Sequence, residues 1–386
     1  MQMVTWQTKL TLLLISTMTI MSGTAIVASL PLIKAHFENV LHVDLYSKLI
    51  LTAPAISIAF FAPWTSRLAL RFGKKRTLVV ALGLFGVFGM MGAWMQSIEG
   101  IVVSRLLFGL CVAVLMSLAL ALVGDYMKEE ERTQYLGYQN TFVALGGVMF
   151  MAGGGFLSEL SWQGAFYIYG IGILVMVLAI VYLFEPKAHY PAEGFSGHAQ
   201  ALLMRLWPVF ATAVLTLSVF YMVPTQLPYL LHDAYHVEGR EVGILMATVT
   251  FVSAITSLFY AKLRQFLSIR AIYSLLFLSQ SIGFAGISQA NTYLQFSCSL
   301  VAVGIGVGLV IVNTNSWLLE WAHEHERLKA TGWLTSSIFL GQFLSPLLLY
   351  FPVKTLGVDG AFGLVGALLF SVSLALFIQA NRRINL

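Results

Sequence analysis

The chain has 386 residues, of which 58% are hydrophobic and 10% charged, whereas a soluble globular domain carries about 25% charged residues. That balance excludes a soluble domain and describes an integral membrane protein built of helices. A net charge of +5 would by itself admit a nucleic-acid partner, so the positions of the charges have to decide.

A helix needs roughly 20 mostly apolar residues to cross the hydrocarbon core, because each unsatisfied backbone group in lipid costs several kcal/mol. Twelve such spans are predicted, at 10–33, 46–68, 77–96, 98–124, 134–157, 163–184, 205–231, 241–261, 269–288, 294–319, 329–351 and 358–380. The first follows Lys9, exceeds a signal-peptide core and lacks a small-residue cleavage site, so it is expected to stay in the mature protein. The turn at Gln96 to Glu99 separates spans three and four. Both cysteines, Cys111 and Cys298, fall inside spans and are read as small apolar packers, not as a disulfide. The polar stretch EPKAHYPAEGFSGHAQ, 185–200, marks a cytoplasmic linker over 185–204 between an N-terminal bundle, 1–184, and a C-terminal bundle, 205–386.

The charges alternate by loop. With the N-terminus inside, seventeen of the 22 Lys and Arg fall on the inner side: Lys9, Arg67, Arg71, Lys74, Lys75, Arg76, Lys128, Arg132, Lys187, Arg205, Lys262, Arg264, Arg270, Arg327, Lys329, Arg382 and Arg383. Lys34, Lys48, Arg240 and Lys354 fall outside. This asymmetry is the positive-inside rule, which sets both termini in the cytoplasm, predicts a multi-pass protein of the cytoplasmic membrane and removes nucleic acid as a partner.

A shift of 195 residues superimposes loop features of the two halves: Arg67 on Lys262, Lys75 on Arg270, Gly109 on Gly304, Asp125 on Glu320, Arg132 on Arg327, Gly137 on Gly332 and Gly146 on Gly341. One residue of slip then aligns Gly164-Ala165-Phe166 with Gly360-Ala361-Phe362. The fold expected is therefore all-α, with twelve transmembrane helices in two pseudo-symmetric six-helix bundles related by an axis along the membrane normal. A cavity on that axis near the midplane is the expected substrate site.

Two motifs give the chain a family likeness. Arg71, Gly73, Lys74 and Lys75 follow span two, with Ser66 at an opening small-residue position, and Arg105 with Gly109 lies in SRLLFGLCVA, 104–113. Over essentially the whole chain the sequence resembles the major facilitator superfamily, and within it the twelve-span drug:proton antiporter branch. The family's loop aspartate is Leu70 here, its span-four Gln is Phe108 and its second Gly is Cys111. The Gly-rich antiporter stretch of span five is represented by Gly146, Gly147, Gly153, Gly154 and Gly155 without a proline. Asp125 and Arg132 match the family's inner-loop pattern.

The resemblance implies that Arg105 takes part in proton coupling. From the residues alone, a cation about two turns inside a span must face the bundle and hold a partner, and a hydrogen-bond anchor to span one is the structural alternative. The cavity is expected to draw on Thr24, Gln139, Asn140, Tyr221, Gln226, Asn313, Asn315 and Gln342, although buried amides and hydroxyls can equally join helices. No Asp or Glu lies in mid-span; Asp125, Glu320, Glu159 and Asp233 stand at span ends. The site should then be neutral to positive and suit an anionic, zwitterionic or neutral substrate.

A cytoplasmic gate is expected from Arg71, Gly73, Lys74, Lys75, Arg76, Asp125 and Arg132, with Glu320 and Arg327 in the second half, each acid pairing with the basic turn of its own half. The tract His323 to Glu326 lacks companion metal ligands, Gly304, Gly306 and Gly308 read as helix packing, and no Walker loop is present. No cofactor or metal is expected. The function expected is proton-coupled export of a small organic molecule, a drug or a carboxylate-bearing metabolite such as a siderophore, by alternating access. An uptake symporter is the alternative; a non-transporting receptor and a membrane enzyme fit less well. The partners expected are the substrate, protons and the lipid bilayer, with a monomer as the working unit.

Overall fold

The computed structural model describes residues 4–127, 129–186, 199–237, 239–323 and 326–382, and the regular elements among them are helices. Lys128, Lys187, Arg383, most of the expected linker, and Glu324 and His325 of the His323 tract lie outside the described residues. The chain divides into two compact units, Met1–Met204 and Arg205–Leu386.

In the first unit, Thr5 opens helix α1, Trp6–Met21, by accepting the Thr8 N–H on its hydroxyl. Span one then breaks: residues 22–26 form turns, Val27–Ser29 a 3-10 turn, and α2 covers Leu30–His36. The break lets the Ala25 backbone lie against Gly154, where any side chain would collide with the Ala25 carbonyl. There follow α3, Val43–Phe61, α4, Thr65–Phe72, and α5, Lys74–Met91. After α5 a 3-10 turn and extended Met95 confirm the division between spans three and four, and Ser97 caps α6, Ile98–Tyr126, through the Gly100 N–H at 3.1 Å. Helix α7 is Glu129–Leu160, α8 Gly164–Tyr167 and α9 Ile171–Tyr182.

Helix α10, Ala199–Phe220, leads into the second unit, which holds α11, Met222–Tyr235, α12, Gly239–Leu258, α13, Tyr260–Phe266, and α14, Ile269–Gln289. It continues with α15, Tyr293–Trp321, α16, Arg327–Leu348, and α17, Tyr350–Arg382, which kinks at Gly357 with φ +74°. Ten helical stretches among the described residues are long and apolar enough to span a membrane. The two predicted spans outside that set are the broken first span and α16. The latter carries Thr331, Thr335 and Ser337, whose hydroxyls are satisfied by carbonyls four residues earlier in the same helix.

The internal repeat has a packing cause. Helices α6 and α15 are each 29 residues long and begin 195 residues apart, at 98 and 293. A Cβ on Gly109 of α6 would lie 2.7 Å from Pro54 Cα in α3, and one on Gly304 of α15 would lie 2.8 Å from Val252 Cβ in α12. Each glycine is the point at which two helices of its own unit touch. Gly109→Ala should therefore lower stability by about 1–3 kcal/mol through overpacking. Gly137→Ala, with nothing within 4 Å, should not lower it, and thermal unfolding of the two purified variants compares them.

Cys111 is buried as expected of a packer, whereas Cys298 is exposed on α15. The expectation for Cys298 fails because one face of a spanning helix is apolar for the lipid, and hydropathy cannot tell that face from the inner one.

Candidate functional site

The basic turn after span two is built on one backbone conformation. Gly73, at φ +88° and ψ 150°, ends α4 and begins α5 in a single residue. That bend aims the first N–H groups of α5 at the Glu185 carboxylate: Lys74 N–H donates to Oε1 at 2.5 Å and Lys75 N–H to Oε2 at 3.0 Å. A carboxylate at a helix N-terminus is favoured both by the free N–H groups and by the helix dipole. The Lys74 side chain turns to α6, where Nζ meets Asp125 Oδ2 at 2.6 Å, and Lys75 Nζ donates to the Ile180 carbonyl of α9 at 2.8 Å. Beside them the Tyr126 hydroxyl donates to the Phe184 carbonyl and its ring stacks on Phe184 at 4.2 Å. One surface pair is worth ~0–1 kcal/mol, but here a turn, a helix N-terminus and two helix ends share the same charges.

The expected gate is thus only partly assembled. Gly73, Lys74, Lys75 and Asp125 come together; Arg71 and Arg76 are exposed and turn to a groove on another face, described below. Arg132 stands on α7, where the neighbouring α1–α7 contacts are the Lys9–Glu131 pair at 2.5 Å and the Tyr135 hydroxyl donating to the Lys9 carbonyl. Glu185, expected to begin the linker, is instead part of this cluster.

The second unit carries a counterpart. Arg264 of α13 pairs with Glu320 at the end of α15, while its other nitrogen donates to the Leu267 carbonyl that closes α13. Arg205 pairs with Glu326 just ahead of Arg327, the first residue of α16. Asn313 of α15 donates to the Ile269 carbonyl at 3.1 Å and accepts from the Tyr260 hydroxyl at 3.2 Å. It therefore ties α15 to the ends of α13 and α14.

Arg105 is wholly buried. Its Nη2 donates to the Gly89 carbonyl of α5 at 2.7 Å, and its guanidinium lies over three rings: Phe108 at 4.5 Å, Tyr169 at 4.7 Å and Phe166 at 5.2 Å. Phe85 packs on Phe108 at 4.6 Å and closes the cage. Among the described residues Nε and Nη1 have no hydrogen-bond partner and no carboxylate pairs with the cation. The direct anchor is thus span three, not span one. Span one is reached only at second hand, through the Tyr169 hydroxyl, which donates at 3.4 Å to the Met21 carbonyl where α1 breaks. Cation–π contacts contribute ~2 kcal/mol or more when desolvated, against about 1–3 kcal/mol for each unmatched buried donor. The site therefore holds a buried, incompletely satisfied positive charge.

The other expected cavity residues divide. Gln139 donates to the Ser16 hydroxyl at 2.7 Å and joins α7 to α1. Thr24 and Asn315 bond back to carbonyls of their own segments, at Ile20 and Ile311. Asn140 is exposed, and Tyr221 sits at the junction of α10 and α11. Gln226 and Gln342 are buried, and neither amide atom of Gln226 is bonded among the described residues. Gln280, equally buried and equally unbonded, was not anticipated. Its only sequence signal is an amide within an apolar run.

The profile of the Major Facilitator Superfamily matches the chain twice, over residues 12–233 and 209–384. The quinolone resistance protein NorA of Staphylococcus aureus (strain MRSA252) is 24% identical over 307 residues, covering 78% of this chain and 79% of its own. Multidrug resistance protein 1 of Bacillus subtilis (strain 168) is 24% identical over 301 residues, covering 76% and 77%. Among solved structures, a D-xylose–proton symporter superimposes with a TM-score of 0.75 at 14% identity, covering 96% of this chain and 98% of its own, a likeness of fold alone. With helices in two repeated units and a profile matching both, the chain belongs to the Major Facilitator Superfamily.

Proposed function

We propose that this transporter is a proton-coupled exporter of a small organic molecule, a drug or a carboxylate-bearing metabolite such as a siderophore, working by alternating access in the cytoplasmic membrane with both termini inside. The observation that carries the reading is Arg105, a fully buried guanidinium held by rings and one carbonyl with no carboxylate partner. The guanidinium itself stays protonated, so its uncompensated charge acts by favouring loss of a proton from, or binding of an anion at, a group brought beside it. Export is supported by relatives named for resistance to quinolones and to multiple drugs, since a transporter confers resistance by removing the drug. The Lys74–Asp125 and Arg264–Glu320 pairs, one in each unit, supply cytoplasmic closing contacts that can break and reform.

Uptake by symport is the competing direction, supported by the fold likeness to a sugar–proton symporter. Expression in an efflux-deficient host distinguishes them: cells carrying the protein should accumulate less norfloxacin than vector controls, and collapse of the proton gradient should remove the difference. Higher accumulation in expressing cells would reverse the assigned direction.

A further inference from the structure

A groove of about 590 Å3 runs along the outer face of the first unit between α5 and α6, with α4 at its mouth. Along α5 it is lined by Arg76, Val80, Leu84 and Phe88, which recur on one helical face over about 18 Å. Along α6 it is floored by Cys111 and Val114, both nearly covered, so the face is concave where a lipid-facing helix pair is usually convex. Its length is close to one leaflet of hydrocarbon, roughly 15 Å.

Only the mouth is charged. Arg71 and Arg76 both line it, and among the described residues neither forms an ion pair. The nearby acids are committed elsewhere, Glu185 to the N–H groups of Lys74 and Lys75 and Asp125 to the Lys74 ammonium. Thr77, the other polar residue at the mouth, already donates to the Gly73 carbonyl at 2.7 Å. Two exposed guanidinium groups therefore stand over an apolar trough at the end of a helix pair, complementary to a phosphate joined to a hydrocarbon chain.

We propose that this groove binds an anionic diacyl phospholipid, with the phosphate on Arg71 and Arg76 and one acyl chain along Val80, Leu84 and Phe88. The site rests on residues of the first unit alone and does not depend on the substrate or direction of transport. It also gives a role to two cations that the cytoplasmic cluster leaves out.

Native mass spectrometry of the full-length protein, with equal amounts of palmitoyl-oleoyl phosphatidylglycerol and phosphatidylcholine, tests the proposal. The wild type should retain phosphatidylglycerol in preference, and R71Q/R76Q should lower that preference about tenfold. K262Q/R270Q, which removes the same charge from exposed positions of the second unit, should leave it intact. Val80→Trp, which fills the trough without touching the charges, should lower retention of both lipids. Should the double variant fail to fold, R76Q alone carries the same comparison. An unchanged preference in the arginine variants, an equal loss in K262Q/R270Q, or no preference in the wild type would each overturn the assignment.

Discussion

Replacing Arg105 with Ala should reduce transport about a hundredfold while leaving membrane insertion intact. The guanidinium is wholly buried in a span, and among the described residues its partners are ring faces and the Gly89 carbonyl. In so dry a setting a change of charge beside it is worth several kcal/mol, enough to favour one conformation over another. Alanine would also empty the space between Phe108, Phe166 and Tyr169, so a loss in that variant alone could reflect packing. Arg105→Met separates the two effects, because it refills the cage without the charge. Stability close to wild type together with lost transport is expected for Met, measured by thermal unfolding and by substrate flux. A Met variant that transports normally would reduce the cage to a structural joint between α5, α6 and the segment of Tyr169.

Gly73→Ala should be the most damaging single methyl in the cluster around the Glu185 carboxylate. A residue at φ +88° and ψ 150° occupies backbone space that is essentially restricted to glycine, at a cost of about 1–3 kcal/mol for any other residue. The added Cβ would also come within 2.8–2.9 Å of the Glu185 carboxylate, displacing it from the N–H groups of Lys74 and Lys75. Glu185→Ala alone should cost less, since that carboxylate is exposed and its bonds are screened. The two changes should not add: with the carboxylate gone, alanine at 73 keeps the backbone penalty and loses the clash. Unfolding measurements on both single variants and the double variant give this coupling directly. Strict additivity would mean that Glu185 does not cap α5. Leu70→Asp, which restores the family's acidic residue beside this turn, should draw Arg71 or Lys74 into a new pair, and should slow transport if it competes with Asp125.

The spans were legible because hydropathy and helix length measure the same requirement, and α6 and α15 match the runs from which they were predicted within two residues. The break in span one was not legible, since glycines such as Gly304 and Gly306 sit in an unbroken helix, and the contact that accompanies the break, Ala25 against Gly154, joins segments far apart in the sequence. In the candidate site, a lone arginine in an apolar run signals its own importance, but the cage around it does not. Phe108 could be noticed as a departure from the family pattern; Phe166 and Tyr169, about 60 residues further on, look like ordinary apolar packing.

The repeat located Asp125 and Glu320 but could not give their partners. A shift of 195 residues places Lys74 on Ile269 and Arg264 on Ala69, so the two ion pairs reach equivalent acids from non-equivalent bases. Long basic side chains tolerate such displacement because the head group, not the backbone position, has to arrive. Glu185 escaped for a related reason: its ligands are backbone N–H groups, which leave no mark in a sequence.

Proton-coupled export is tested most directly by norfloxacin transport into everted membrane vesicles with an imposed pH gradient, comparing wild type with Arg105→Met. Accumulation driven by an acidic interior, lost on dissipating the gradient and absent from Arg105→Met, is the expected result. Accumulation in wild-type vesicles that ignores the gradient, or that persists in Arg105→Met, would contradict it.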